Sequence, residues 1–169
     1  MIAAASGSWF TTKKDVHESN DFNFGPIKEV AILFVGIFAT MLPALDWLQS
    51  HSKQFAHLSP AVFFWGSGTL SSVLDNAPTY LTFLSTTGQV QMALALADPV
   101  QIKNLQAISI GCVFFGANTY IGNGPNFLVK AIADHQKART PGFMAYILHF
   151  TLPFMLPMLV IIWLLFFRT

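Results

Sequence analysis

The sequence predicts an all-α integral membrane protein with transmembrane helices, one re-entrant helical hairpin and one discontinuous helix. Hydrophobic residues make up 53% of the 169 residues and charged residues only 10%, a balance that soluble domains do not have. A C-terminal stretch stays apolar over the length needed to cross a bilayer. Two central stretches instead carry polar islands between apolar arms, and these arms are too short to cross alone.

The composition also excludes several classes of function. Nine basic and eight acidic side chains give a net charge of +1, which leaves no basic surface for a nucleic acid. The single Cys112 excludes an intrachain disulfide framework and a zinc site built from several thiolates. The sequence has no His-Glu-x-x-His and no Gly-x-Ser-x-Gly motif, so we expect neither an enzyme nor a bound cofactor.

Residues 1–25 are predicted to be a polar N-terminal segment, followed by a first transmembrane helix over residues 26–49. Pro26 suits the first position of a helix, where its missing N–H has no partner to lose. Asp46 and Trp47 place a charge and an indole at the depth of the headgroups. The apolar run between these two ends is long enough to span the hydrocarbon core.

Residues 60–84 are predicted to form the re-entrant hairpin. Its arms, 60–64 and 80–84, are apolar, and the centre contains Asp75-Asn76-Ala77-Pro78-Thr79. Neither arm approaches the roughly 20 residues that a crossing needs. The economical interpretation is therefore a helix-turn-helix whose tip lies at membrane depth.

Residues 105–133 are predicted to form a discontinuous helix. An apolar half over 105–115 is followed by a polar island over 116–126 and a second apolar half. The two islands resemble each other, because Asn76-Ala77-Pro78-Thr79 and Asn123-Gly124-Pro125-Asn126 both have the form Asn, small, Pro, polar. The same chemistry is thus expected at both helix breaks.

Residues 142–167 are predicted to be the last transmembrane helix, so the membrane domain occupies residues 26–169. Its only ionisable side chain is His149, for which we expect one interhelical hydrogen bond rather than a proton relay. Pro153 and Pro157 are expected to bend the helix.

Charges in the predicted loops set the expected topology. Because a hairpin returns to its own side, residues 1–25 share a face with loop 134–141, and loops 50–59 and 85–104 share the other face with the C-terminus. The first face is the more basic. The positive-inside rule therefore places the N-terminus in the cytoplasm and the C-terminus outside a multi-pass protein of the cell inner membrane. The basic residues are Lys13, Lys14, Lys137 and Arg139 on the first face, and Lys53, Lys103 and Arg168 on the second.

The two polar islands are the predicted substrate and ion site. A helix that breaks inside a bilayer exposes backbone N–H and C=O groups, which are tolerated where protein or a water-filled cavity satisfies them. Half-helix N-termini then favour anions, while hydroxyl and amide oxygens suit sodium. The candidate site residues are Ser71, Ser72, Asp75, Asn76, Thr79, Asn118, Thr119, Gly122, Asn123 and Asn126, with Asp75, Asn76 and Asn123 as candidate Na+ ligands.

Asp75 is the strongest candidate for a functional residue within this set. A carboxylate near the bilayer centre is expensive, and such residues usually face a pathway, form a pair or carry protons. Two structural interpretations stand beside the functional one. Asp75 could cap the half-helix that starts near Pro78, or it could be paired with Lys130.

These residues resemble the C-terminal part of the citrate transporter and sodium/proton antiporter proteins of the ion transporter superfamily. The resemblance covers about Asn23 to Phe167. The matching stretches are FGPIKEVAILFVGIFATMLPAL (24–45), FFWGSGTLSSVLDNAPTYLTFL (63–84) and GANTYIGNGPNFLVKAIA (116–133).

The resemblance implies a fold of two inverted repeats, of which this chain holds the second. It implies that substrate and ions lie between the repeats, with the first five candidate residues at the hairpin tip and the other five in the break. The expected function is secondary active transport by half of such a machine, with sodium/proton antiport in the lead. Uptake of citrate or a dicarboxylate coupled to Na+ or H+ is one alternative, and a non-transporting membrane fragment or accessory subunit is another. The expected partners are the lipid bilayer and either a missing N-terminal repeat or a second protomer, as in a homodimer.

Overall fold

A computed structural model describes residues 2–19, 24–51, 58–87 and 98–168 of the chain. Every regular element among these residues is helical, which confirms the all-α class. The helices are α1 (Ile2–Thr11), α2 (Lys14–Ser19), α3 (Gly25–Ser50), α4 (Pro60–Ser71), α5 (Asn76–Thr86), α6 (Pro99–Phe115), α7 (Gly124–His135) and α8 (Phe143–Phe167). Lys53 and much of the two loops predicted around residues 50–59 and 85–104 lie outside the described residues.

Two parts of the structure differ from the expected segments. Residues 1–25, for which no helix is predicted, contain α1 and α2. In addition, α6 begins at Pro99 and not at residue 105. The earlier start has a local cause, because the Asp98 side chain accepts a hydrogen bond from the Val100 N–H at 3.0 Å and Pro99 occupies the first turn. A cap of this kind starts a helix in a polar stretch that a search for apolar runs passes over.

The core forms where α4 packs along α6 in the parallel direction. Near the start of the contact, the Phe64 carbonyl lies beside Gly111 on α6; further along both helices, Gly68 lies under the ring of Phe115. Three hydroxyl groups show the same parallel direction, because both their donors and their acceptors advance along the chain. Ser67 and Ser71 of α4 and the next residue, Ser72, donate to the carbonyls of Ile108, Cys112 and Phe115 at 3.5, 2.7 and 3.3 Å. The C-terminal ends of α4 and α6 therefore come together.

The chain reverses between α4 and α5. A Cβ atom on Gly66 of α4 would lie 3.4 Å from the ring of Phe83 on α5, so the two helices run in opposite directions beside each other. α3 packs against both α5 and α7. The Phe34 ring of α3 lies over Gly124, the first residue of α7. The hairpin shape is thus present, while its re-entry into a membrane stays a prediction.

The last helix, α8, covers one side of this core. Phe167 stacks on Phe64 with ring centroids 5.1 Å apart, and Trp163 meets Trp65 edge to face at 6.2 Å. The turns over Ile147–Met155 and Trp163–Phe167 are wide π turns. Pro153 lies within the first of them, where its missing N–H and its bulky ring disfavour ordinary α turns.

Of the described part of the chain, one helix is long and apolar enough to cross a membrane. It is Phe143–Phe167, and only 11% of its most apolar window is buried inside the structure. Large apolar side chains also point outward from α3, including Ile32, Val35 and Leu42. These surfaces have the polarity of a lipid-facing or partner-facing exterior.

The close contact of α4 and α6 leads to a first prediction. A Cβ atom on Gly111 would lie 2.7 Å from the Phe64 carbonyl oxygen, which is backbone and cannot turn away. We expect Gly111→Ala to lower the free energy of unfolding by about 1–3 kcal/mol in detergent micelles. The matched control is Gly36→Ala on α3, which has open space around the added methyl group and should be neutral or stabilising. Equal stability of the two variants would contradict the packing described here.

Candidate functional site: the junction of two helix breaks

The polar islands meet at the ends of α4 and α6. We call residues 72–75, between α4 and α5, the hairpin tip, and residues 116–123, between α6 and α7, the break. Because α4 and α6 run in parallel, their last turns deliver the tip and the break to the same place. The contact between them is the junction that the next paragraphs describe.

One carboxylate caps two helices at this junction. The Oδ1 atom of Asp75 accepts from the Ala77 N–H at 3.4 Å, which caps α5, and Oδ2 accepts from the Gly124 N–H at 2.9 Å, which caps α7. The capping interpretation of Asp75 therefore holds, with α5 starting at Asn76. The pairing with Lys130 does not, because Lys130 donates to Asp134 at 2.5 Å.

Hydroxyl and amide groups join the tip to the break. The Asn118 amide donates to Ser72 Oγ at 3.1 Å, and Thr119 Oγ1 donates to the Ser72 carbonyl. The same Thr119 oxygen accepts from the Gly122 N–H at 3.0 Å, which satisfies a backbone group inside the break. At the tip, Thr79 Oγ1 donates to the Asp75 carbonyl at 3.0 Å. Freed backbone groups are thus satisfied within the protein, as a low-dielectric setting demands.

Asn76 lies at the centre of the junction. Its Nδ2 atom is assigned to face the carbonyls of Cys112 at 2.9 Å and Gly122 at 3.2 Å, because the opposite orientation would set its oxygen against acceptors alone. Ser71 Oγ lies 2.9 Å from the same amide and donates to the Cys112 carbonyl at 2.7 Å. This amide thereby connects the tip, the end of α6 and the break.

Glycines allow this close approach. A Cβ atom on Gly116 would lie 2.2 Å from the Asn76 amide, and one on Gly122 would lie 2.7 Å from the Ser71 carbonyl oxygen. Any larger residue at these two positions would push the tip and the break apart.

Two residues of α8 complete the junction, and neither is among the site residues predicted from the sequence. Tyr146 donates to the Ala117 carbonyl at 3.2 Å, and Thr151 donates to the Asn118 carbonyl. They stand five residues apart, a spacing that π turns bring to one face. Both are polar residues inside an apolar helix, and this is the sequence feature that points to them. The expectation for His149 is wrong, since its Nδ1 pairs with the Ala145 carbonyl of its own helix at 2.8 Å.

The candidate residues differ in their burial. Thr79, Asn118 and Thr119 are buried, whereas Asp75, Asn76 and Asn123 are half-buried. Asn126 is exposed, and it lines a separate cavity of about 280 Å³ with Lys130 and Tyr146. The junction therefore gathers Ser71, Ser72, Asp75, Asn76, Thr79, Asn118, Thr119 and Gly122, while Asn123 adjoins it as the residue before α7 and Asn126 lies outside it.

One oxygen of the junction has no protein partner. Oδ1 of Asn118 is buried and accepts no hydrogen bond within the part of the chain that the structure describes. The nearby carbonyls of Ser72, Ala117 and Asn118 all accept from hydroxyl groups. Asn118 Oδ1 is thus a buried oxygen of the junction that has no donor among the described residues.

A buried polar junction between interrupted helices, beside a helix apolar enough to cross a bilayer, defines a class of protein: it is typical of secondary membrane transporters. Residues 1–167 match the family model described as "Putative citrate transport", and the chain belongs to that family. The protein is accordingly a membrane transport protein, and the resemblance drawn from the sequence is confirmed. The comparisons with curated proteins and with solved structures found no match.

The double cap at Asp75 leads to a second prediction. Asp75→Ala leaves the N–H groups of Ala77 and Gly124 without their acceptor, so we expect it to lower the free energy of unfolding by about 1–3 kcal/mol in mixed micelles. Asp75→Asn keeps an acceptor oxygen and should lose less. The control is Asp98→Ala, which removes an exposed cap from α6 alone. A loss at Asp98 as large as that at Asp75 would contradict the shared cap.

Proposed function

We propose that the protein is a secondary active transporter of the cell inner membrane that exchanges sodium for protons, with Asp75 as the group that binds them in turn. The observation that carries the proposal is the position of the Asp75 carboxylate, shared between the N-termini of α5 and α7. Both terminal positive dipole ends already face a negative charge that belongs to the protein. The carboxylate of Asp75, and not that of a substrate, therefore occupies these two helix ends.

Charge distinguishes this proposal from a site built for an anion. Where half-helix N-termini hold a substrate carboxylate, the positive ends have to be open to it. Here Asp75 takes that place and would repel a second carboxylate across a low-dielectric site, unless a cation lay between them. The unpartnered oxygen of Asn118 offers such a cation a further ligand.

The hydrogen bond from the Gly124 N–H to Asp75 suggests how binding of sodium or a proton changes the spacing of the tip and the break. An ionised Asp75 is a strong acceptor for the Gly124 N–H, since charge-assisted hydrogen bonds are roughly twice as strong as neutral ones. Protonation removes the charge and weakens the link between tip and break. Sodium and a proton thus favour different spacings of the same two segments, which is the differential binding that alternating access requires.

A second candidate is uptake of citrate or a dicarboxylate together with Na+ or H+. The description of the family favours it. Asp75 would then bind the coupling ion, and the anion would meet the site through that ion. In either case the exposed apolar faces of α3 and α8 call for lipid together with an N-terminal repeat or a second protomer. The topology proposed from the charges keeps the N-terminus in the cytoplasm and the C-terminus outside.

Transport measurements test the proposal as our third prediction. The chain is expressed in antiporter-deficient bacteria, alone and with a first repeat taken from a full-length relative, and the collapse of a pH gradient by sodium is followed in everted vesicles. We expect exchange in the complemented pair and at least a tenfold loss in Asp75→Asn, because an amide keeps the cap but cannot take up a proton. Asp98→Asn is the matched control, since Asp98 also caps a helix but lies at the opposite end of α6 from the junction.

Three results would count against the proposal. Equal loss in the Asp98 and Asp75 variants would make Asp75 a structural cap only. Accumulation of labelled citrate in the pair without any sodium response would establish the second candidate. Vesicles with inserted protein and no transport of either kind would point to a non-transporting fragment or an accessory subunit.

A further inference from the structure

A cavity of about 630 Å³ lies between the start of α3 and the second half of α7. The two helices run antiparallel, because Phe34 of α3 meets Gly124 at the start of α7, whereas Glu29 lies nearer the end of α7, where it lines the cavity with Asp134. Tyr120 also lines the cavity, and it belongs to the break. Residues of α3, of α7 and of the break therefore form the described wall of this cavity.

Among the described residues that line this cavity, two acids, Glu29 and Asp134, stand against one lysine, Lys130. Asp134 accepts from Lys130 and from Thr140, each at 2.5 Å, and these bonds hold the pKa of Asp134 below its ordinary value, so it is ionised at neutral pH. The charge of Lys130 is thereby balanced by that of Asp134. The Lys130 Nζ atom lies 5.2 Å from the centre of the Tyr120 ring. Glu29 has no such counterpart among the lining residues, and the remaining titratable group is His135.

A smaller cavity provides an internal comparison. Its volume is about 280 Å³, and it shares Tyr120 and Lys130 with the larger one. Ala133, Asn126 and Tyr146 also line it, and Lys130 is the one charged side chain among its lining residues. Lys130 is paired with Asp134, so the two cavities differ in their acids: Glu29 and Asp134 line the larger one, and no acid is among the described residues that line the smaller one. Two alanines of α7, Ala131 in the larger cavity and Ala133 in the smaller, report on them separately.

We propose that the larger cavity is a vestibule that collects cations for the junction from the face that carries loop 134–141, with Glu29 as its selecting charge. The inference rests on the proposed function, since it gives the cation exchanged at Asp75 a route to the site. The break residue Tyr120, one residue after Thr119 of the junction, forms part of its wall. An anionic substrate would meet a repulsive wall on this route.

Charge-selective labelling tests the vestibule without measuring transport. Cysteine is introduced by Ala131→Cys or Ala133→Cys into the full chain carrying Cys112→Ala, which removes the single native thiol. Everted vesicles are treated with a cationic or an anionic methanethiosulfonate reagent, and each rate is normalised to that of a free thiol. We expect the ratio of cationic to anionic rates to be above one for Ala131→Cys and lower for Ala133→Cys.

Removal of the proposed selecting charge completes the test. Glu29→Gln should lower the Ala131→Cys ratio by about two- to fourfold, because Glu29 lines the same cavity and its charge acts with opposite sign on the two reagents. Glu18→Gln is the matched control, since Glu18 is an exposed acid of α2 that does not line the cavity. The ratio should not change in that variant.

The outcomes separate this inference from the proposed function. Sodium exchange together with a ratio at or below one, or with no labelling of Ala131→Cys, would overturn the vestibule and leave the exchange proposal standing. A high ratio without sodium exchange in the complemented pair would overturn the exchange and, with it, the vestibule as a route. A high ratio that Glu29→Gln lowers, with sodium exchange slowed in the same variant, supports both.

Discussion

The structure depends on one carboxylate that serves two helix ends. Asp75 accepts from the backbone of Ala77 and of Gly124, so a single side chain sets the start of α5 and of α7 and holds the hairpin tip against the break. A helix N-terminus at membrane depth presents N–H groups that water does not reach, and leaving one unpaired costs several kcal/mol. The sharing of Asp75 makes the two helix breaks interdependent, since neither end can move without changing the bonds of the other.

The contact that supports this sharing is made by small residues and hydroxyl groups. Ser67 and Ser71 of α4 and Ser72 of the tip donate to carbonyls of α6 at Ile108, Cys112 and Phe115, and Gly111 allows the backbones to approach closely. Inside a bilayer, burial of apolar surface does not drive helices together, so close packing and interhelical hydrogen bonds have to hold them. The aromatic cluster of Phe64, Phe115 and Phe167 packs beside this contact and joins α4, α6 and α8.

Sequence alone could predict the two polar segments that separate α4 from α5 and α6 from α7, but not the partners that satisfy them. The islands at Asp75-Asn76 and Asn118-Thr119 are conspicuous because polar residues interrupt apolar ones, and hydropathy is a local property. The roles of Tyr146 and Thr151 depend on π turns around Pro153 and on where α8 lies, which are tertiary properties that local periodicity does not contain. The contact of His149 likewise depends on the direction of its side chain, which pairs the ring with the Ala145 carbonyl of the same helix.

The hydrogen bonds that oxygens of the junction already accept limit which ions it can bind. The carbonyls of Ser72, Ala117 and Asn118 accept from hydroxyl donors, so these three backbone oxygens already have partners in this conformation. Asp75 is the single ionisable side chain whose bonds join the tip to the break among the described residues. On the proposed mechanism, the charge of the site therefore changes by one unit when Asp75 takes up a proton. A bound sodium ion would balance that same unit, so the two ions compete for one charge rather than fill separate positions.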